Sequence, residues 1–289
     1  MYRMRPAEFE YHRPASLDEA IEILGEVEDA KPLAGGHSLL PMMKLRLALP
    51  AALVDLGRIP SLDGISANGG LTLGARATHA EVAQSEVVRR LSPVLAETAA
   101  GIGDRQVRNC GTVGGSVAHA DPGADYPTVL RALGATFTVR GKKGEREIAS
   151  GDFCRGILET ALGPGELLTS VTVPAAAAGT GAAYAKHRHP ASGYAVVGAA
   201  AVVTVEGGRC TAARLAVGGV TCPPVDATAA AEALVGTAGS EDAIAAAAER
   251  VREAIPNPIG DPYASGEYRL HLAGVLAARA LSRAFARAA

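Results

Sequence analysis

Two short stretches of the chain set paired glycines beside small hydroxyl residues: PLAGGHSL at 32–39 and GTVGGS at 111–116. Glycine lets backbone N–H groups come close to an anion and adopt positive φ angles that side chains disfavour. Successive amides in such a turn form a concave, partly positive nest, and Ser38, Thr112 and Ser116 can add hydroxyl donors. The chemistry this suits is the holding of a phosphate or diphosphate. Neither stretch has the spacing of G-x-x-x-x-G-K-[ST] or of G-x-G-x-x-G, which excludes the P-loop and Rossmann readings. One paired glycine is as readily a tight connection with no ligand. Two of them in neighbouring units make a shared anion an equal reading.

His37 and His119 lie inside these stretches, yet no third ligand stands at a telling spacing, so no metal site is expected. Both are better placed to satisfy backbone groups or to touch a cofactor. The four cysteines, Cys110, Cys154, Cys210 and Cys222, contain no C-x-x-C pair. Zinc ribbons and iron–sulfur ligand runs are therefore excluded, and reduced, partly buried thiols are expected.

The elements that must position the loops are legible from periodicity. Ser16 and Glu19 have the spacing of a capping box, and Leu17, Ala20, Ile21, Leu24 and Val27 recur at helical intervals, predicting a helix over 16–28. KPLAGG reads as a short buried strand entering a glycine turn, and AALVDLGRI as a further strand. In the next unit GLTLGA is a strand, HAEVAQSEVVRRL one helix, and SPVLAETAAGIG another with Ser92 as cap and Pro93 in its first turn. YPTVLRAL is a helix or a buried run, ATFTVRG a strand ending in the turn GKKGE, and ELLTSVTVP a strand that stops at Pro174. AAAAGTGAA (175–183) reads as a linker or exposed loop. A β-hairpin turning at Gly207 and Gly208 follows, then alanine-rich helices near 227–236, 240–254 and 266–287. The expected division is 1–57, 58–174 and 175–289.

With 289 residues, 48% of them hydrophobic, the chain can bury a sizeable core. A formal net charge of −2 and the absence of Trp give no reason to expect nucleic acid as a partner. The start of the sequence lacks the apolar segment of a secretory signal, and no uninterrupted apolar run is long enough to span a membrane, so a cytoplasmic location is expected.

KPLAGGHSLLPMMKLRLALP and QVRNCGTVGGSVAHADPGADYPTVL together resemble the flavin subunit of the xanthine dehydrogenase and carbon monoxide dehydrogenase family of molybdenum hydroxylases. LGPGELLTSVTVP and AKHRHPASGYAVVGAAA continue the resemblance, in the family's order, over nearly the whole chain. It implies an α+β fold of the vanillyl-alcohol-oxidase (PCMH) type, with two α/β subdomains holding FAD and a C-terminal subdomain of antiparallel sheet and helices. It also implies which residues meet the cofactor. The diphosphate falls to Leu33, Ala34, Gly35, Gly36, His37, Ser38 and Leu39, and to Gly111, Thr112, Val113, Gly114, Gly115 and Ser116. Lys31 matches a lysine beside the cofactor, though it also reads as a surface lysine. Asp125 matches a carboxylate that accepts from the adenosine part. Asp121 is a second candidate, although ADP also reads as a turn before Pro122. Ala118 matches a small residue beside the flavin. Leu168 matches a packing position on the cofactor or is a core leucine. Lys186 matches a lysine near the isoalloxazine, and Tyr194 an aromatic over the ring or a core residue.

Two features depart from the family pattern. Gly193 stands where many relatives carry an acidic residue, and HRHP (187–190) is rich in imidazole. The resemblance implies an FAD-carrying electron-transfer subunit with no catalytic acid or base of its own. Its partners would be a small subunit with two [2Fe–2S] clusters and a large molybdopterin subunit, as a dimer of heterotrimers. NAD, a quinone or dioxygen could each reoxidise the flavin. A stand-alone flavin oxidase or reductase of the same fold is the alternative enzyme, and a cofactor-free scaffold the non-enzymatic one.

Overall fold

The computed structural model describes residues 4–288. Its first unit comprises β1 (Glu10–His12), α1 (Leu17–Glu26), β2 (Ala30–Leu33), α2 (Leu39–Lys44) and β3 (Ala52–Asp55). The three strands form a parallel sheet in the order β1-β3-β2. α1 starts where expected, because the Ser16 hydroxyl accepts from the Glu19 amide at 3.2 Å. The Glu19 carboxylate returns to the Ala15 amide at 2.9 Å, one residue before the cap, so the capping box is offset. Ala20 and Ile21 then bury against Val54, Leu56, Ile59 and Leu62. β2 is an edge strand with Lys31 and Pro32 exposed, which corrects the expectation of a buried strand. Pro32 has no N–H to offer a further neighbour, and an edge is where a sheet tolerates that.

The second unit runs β4 (Ile65–Ser66), β5 (Gly70–Gly74), α3 (His79–Gln84), α4 (Glu86–Leu91), α5 (Pro93–Ala100), α6 (Arg105–Cys110), α7 (Val113–His119) and α8 (Asp125–Leu133). It closes with β6 (Thr136–Gly141), β7 (Gly144–Ala149), α9 (Ser150–Phe153), β8 (Cys154–Gly156), β9 (Glu159–Thr160) and β10 (Leu167–Pro174). Its main sheet is antiparallel, ordered β4-β5-β10-β6-β7. The single helix expected over HAEVAQSEVVRRL is broken at Ser85. That residue's amide ends α3 on the Glu81 carbonyl, while its hydroxyl caps α4 by accepting from Val88 at 3.3 Å. Thr78 and Glu81 form a complete capping box for α3 that the sequence reading overlooked. Ser92 precedes α5 as expected but its side chain makes no cap bond; Pro93 in the first turn has no N–H that needs an acceptor.

The third unit holds β11 (Thr180–Arg188), β12 (Ala195–Glu206), β13 (Arg209–Gly218), β14 (Val225–Asp226), α10 (Thr228–Glu232), α11 (Glu241–Glu249) and α12 (Gly266–Ala288). β12 and β13 are the expected hairpin, with Gly207 and Gly208 at φ +56° and +76°. Two consecutive positive φ values match the right-handed twist of the flanking strands. Only the first part of the anticipated linker is a loop, since β11 begins at Thr180 and pairs along β12. The alanines follow from a sheet covered on both faces. Ala183, Ala185, Ala199 and Ala201 pack towards α12, while Ala200 and Ala216 join the core that includes α8. Gly218 admits the Thr128 side chain of α8, and Gly181 admits the α12 backbone near Ala284. Arg131 of α8 reaches Asp226 at 2.8 Å, so the second and third units are fastened together.

All four cysteines are free; Cys154 and Cys210 are buried and Cys110 is exposed. Among the described residues, no helix is long and apolar enough to cross a membrane and no His, Cys, Asp and Glu side chains gather to hold a metal ion.

Arg269 in the first turn of α12 locks the third unit. The residue is only 6% exposed, and its guanidinium donates to the carbonyls of Val196 at 2.6 Å and Gly219 at 2.7 Å and pairs with Asp261. Arg269→Leu leaves two buried carbonyls without donors and should lower unfolding free energy by about 2–4 kcal/mol, read as a drop in urea midpoint with little change in slope.

Candidate functional site

The two glycine stretches meet. A Cβ on Gly35 would overlap the Cys110 carbonyl and stand 2.9 Å from the Gly111 Cα, so only glycine allows this approach. Gly36 takes a φ of +70° and turns the chain from β2 into α2. The His37 ring folds back, its Nδ1 against the Gly35 carbonyl at 2.8 Å, which is one of the two roles expected of it. The amides of Gly35, Gly36, His37, Ser38 and Leu39 find no acceptor among the described residues. Ser38 stands at the N-cap of α2, and its hydroxyl caps nothing. Five consecutive unpaired amides are an anion-binding surface in the plain physical sense.

The second stretch is different, and here the expectation of two equivalent amide cradles needs correcting. The amides of Val113 and Gly114 donate to the carbonyls of Ala77 at 2.9 Å and Ala75 at 2.8 Å. Gly115 donates to the Thr112 hydroxyl at 3.0 Å, and Ser116 to the Thr112 carbonyl at 3.0 Å. These residues are the first turn of α7, with Thr112 as its N-cap, so their donors are already taken up. What the glycines provide is closeness. A Cβ on Gly114 would lie 2.6 Å from that of Ala75, and one on Gly111 would lie 2.7 Å from the His79 ring. Gly115 and part of Ser116 reach the surface, leaving the Ser116 hydroxyl open.

His79 supports this wall from behind. It is 4% exposed, its amide holds the Gly111 carbonyl at 2.9 Å, and its Nδ1 has no partner among the described residues. Burial, followed by the nearby charges of His37 and Arg108, lowers its pKa to about 4.

The residues assigned to the rest of the cofactor divide. Asp125 and Lys186, expected at separate ends of it, instead pair with each other, Nζ to Oδ2 at 2.8 Å. The other Asp125 oxygen accepts from the Tyr184 hydroxyl at 2.7 Å. The carboxylate is 4% exposed, and burial raises its pKa against the opposing pull of Lys186 and Tyr184. Asp125 therefore has no open face for an adenosine hydroxyl. Tyr184 was missed, although it stands two residues before Lys186 and shares its face of β11. Asp121 accepts from the Gly123 amide at 2.8 Å, which is the turn reading of ADP. Leu168 is buried in the core of the second unit, 5% exposed. Ala118 and His119 lie half-buried at the end of α7, with the His119 pKa lowered by burial. Leu33 and Ala34 are half-buried beside the first loop, and Lys31 is exposed on β2.

Tyr194 is 40% exposed rather than a core residue. Burial and the charges of Asp121 and Asp125 raise its pKa.

Residues 7–176 match the family described as the FAD binding domain in molybdopterin dehydrogenase. The chain belongs to that family. Residues 182–284 match the CO dehydrogenase flavoprotein C-terminal domain. Over 99% of both chains the sequence is 42% identical to the carbon monoxide dehydrogenase medium chain of Afipia carboxidovorans. It is 35% identical to subunit alpha of the 6-hydroxypseudooxynicotine dehydrogenase complex of Paenarthrobacter nicotinovorans, over 99% of this chain and 97% of that one. The solved carbon monoxide dehydrogenase of Hydrogenophaga pseudoflava superposes with a TM-score of 0.95 at 41% identity, covering 99% of this chain and 100% of that one. Membership makes the chain an FAD-binding oxidoreductase subunit of the xanthine dehydrogenase and carbon monoxide dehydrogenase family, with the expected PCMH-type fold. The residues present fit the cofactor: an anion with two phosphates suits a glycine loop with five unpaired amides and no lysine inserted between them.

His79 gives the site a pH limit. Its folded pKa near 4 lies below the ordinary value of 6.5, so the unfolded chain binds the proton first as pH falls. The contribution is complete above about pH 6.5 and is lost towards pH 4, on the order of 3 kcal/mol at most. His79→Leu should flatten the fall in urea midpoint between pH 6.5 and 4; an identical pH profile in both proteins would refute the buried neutral ring.

Proposed function

We propose that the chain holds FAD by seating its diphosphate on the amides of Gly35, Gly36, His37, Ser38 and Leu39. As a medium subunit it would pass electrons from the [2Fe–2S] clusters of a small subunit to an external acceptor. The observation that carries this reading is the run of five unpaired amides pressed against Gly111. Bound FAD would supply the redox chemistry, accepting and releasing electrons, while the protein fixes its place and tunes its surroundings.

The chain's own residues would then have distinct tasks. The first loop neutralises the diphosphate through fixed dipoles, which need no reorganisation when charge on the cofactor changes. Gly111, Gly114 and Gly115 keep the opposing wall within reach, and the open hydroxyl of Ser116 completes it. Lys31, exposed on the edge strand, adds positive potential from the solvent side. No side chain near the loop is arranged as a general acid or base. Substrate oxidation would accordingly take place on a large molybdopterin subunit, with the assembly a dimer of heterotrimers. That a flavin subunit of one design serves relatives named for carbon monoxide and for 6-hydroxypseudooxynicotine supports a substrate choice made elsewhere. NAD, a quinone and dioxygen are the acceptors to test.

Isolation of the complex by a tag on this chain should give a yellow protein whose flavin bleaches with substrate only while the cluster-bearing subunit is present. Bleaching of the isolated chain by a hydroxylase substrate would instead identify a stand-alone oxidase. Gly35→Val should yield a folded but flavin-free protein, and flavin retained at parental stoichiometry would remove the diphosphate from this loop.

A further inference from the structure

Two short helices of the second unit, α3 and α6, pack against each other. Ala80, Ala83 and Gln84 share one face of α3, and Arg105, Arg108 and Asn109 one face of α6, both spaced i, i+3, i+4. Between these faces lies a cavity of about 520 Å³, completed by Arg89 of α4 and Ala100 of α5. The alanines leave the space, which longer side chains would fill. None of the lining residues belongs to either glycine stretch.

The charge of this cavity is one-sided. Three arginines line it and no carboxylate does. Among the described residues, none of the three forms an ion pair. Arg89 Nε donates to the Ala83 carbonyl at 3.1 Å, and Arg108 Nη1 to those of Ile102 at 2.9 Å and Gly103 at 3.3 Å. Those bonds hold two guanidinium groups in place without neutralising them. Arg105 is exposed one turn before Arg108. A fourth cation arrives from the third unit, where Arg188 Nη2 donates to the same Gly103 carbonyl at 2.8 Å. The Arg108 and Arg188 nitrogens therefore stand within about 6 Å of each other, a repulsion that one neutral carbonyl does not cancel. The acidic neighbours are occupied elsewhere: Asp104 caps α6 on the Val107 amide at 2.8 Å, and Glu81 turns to the Thr78 amide at 2.7 Å.

We infer that this cavity binds a phosphate or diphosphate group, free or carried by a small organic molecule, on Arg105 and Arg108. Guanidinium forks donate in pairs to phosphate oxygens, and several unpaired cations match a dianion better than a single carboxylate. The volume falls within the range of small-molecule sites and leaves room beside a lone phosphate. Ala80, Ala83 and Ala100 give that room an apolar wall, and the amide side chains of Gln84 and Asn109 offer it hydrogen bonds. The inference does not rest on the seating of FAD in the first loop.

The test uses the complex purified by a tag on this chain, with flavin at full occupancy so that an added nucleotide finds no empty FAD site. Calorimetric titration with pyrophosphate and with ADP should each show one site per copy of this chain, weakening as salt is raised. Tighter binding of ADP assigns the site to an organic phosphate and equal affinity to the free anion; either result supports it. Arg105→Glu gives the cavity a carboxylate of its own and should weaken both probes about tenfold or more, the loss that goes with a charged hydrogen bond, with flavin content unchanged. Arg283→Glu, exposed on α12, alters net charge equally and should leave both affinities at the parental value. Ala83→Leu fills the space without touching a charge and should exclude ADP. Failure of both probes to bind at millimolar concentration, equal losses in the two glutamate variants, or parental ADP affinity in Ala83→Leu overturns the site. Binding by the free chain that vanishes in the complex would show a partner subunit covering the cavity, and overturns it as well.

Discussion

A contact with no side chain in it governs the site. Gly35 lies against the Cys110 carbonyl and the Gly111 Cα, closer than any Cβ would permit. Because of that approach, the end of the parallel sheet in the first unit and the start of α7 in the second stand side by side. The two then divide the work. One keeps five amides unpaired, and the other pairs every amide from Val113 to Ser116 within its own unit. A surface of unpaired amides is tolerable only where solvent or a ligand can satisfy it. The rigid wall opposite keeps such a loop from collapsing onto its own carbonyls.

The glycines made this site visible in the sequence, but their equal appearance concealed unequal roles. Gly35 and Gly114 look alike in a string of letters. What distinguishes them is the partner: backbone of another unit for Gly35, and Ala75 of the same unit for Gly114. Local rules did well where one interaction decides, as with Ser16 capping α1 or Gly207 and Gly208 turning the third-unit hairpin. They failed where tertiary pairing decides. KPL reads as buried by composition and lies on an edge, and Ser85 interrupts a helix that periodicity carries straight through. Asp125 and Lys186 are 61 residues apart, so no spacing rule could bring them together.

The third unit explains the composition. Its sheet carries α12 on one face and α8 on the other, and its central strand β12 is buried along most of its length. Two helices can approach one sheet this closely only if the strands offer little bulk. Alanine and glycine along β11 and β12 supply that, and the scarcity of aromatic residues follows from the same restriction. α8 in turn is buried on nearly every face. It cannot be assigned to one unit's core without exposing the other, so the second and third units are parts of one packed body.

Burial on both sides gives the Asp125–Lys186 pair its meaning. An ion pair taken out of water recovers in Coulomb attraction roughly what it loses in hydration, so stability alone gives little reason to keep one. Leucines of similar volume would pack the space between α8 and β11 as well. They would not reach the Gly193 carbonyl, nor hold a turn in a conformation with positive φ. The pair is directional where a hydrophobic contact is not, and the direction it specifies ends at the Gly193 carbonyl. Lys186 also brings no net positive charge towards the first loop, because Asp125 cancels it within 2.8 Å. The field that the first loop would offer an anion is thereby left largely to its amide dipoles.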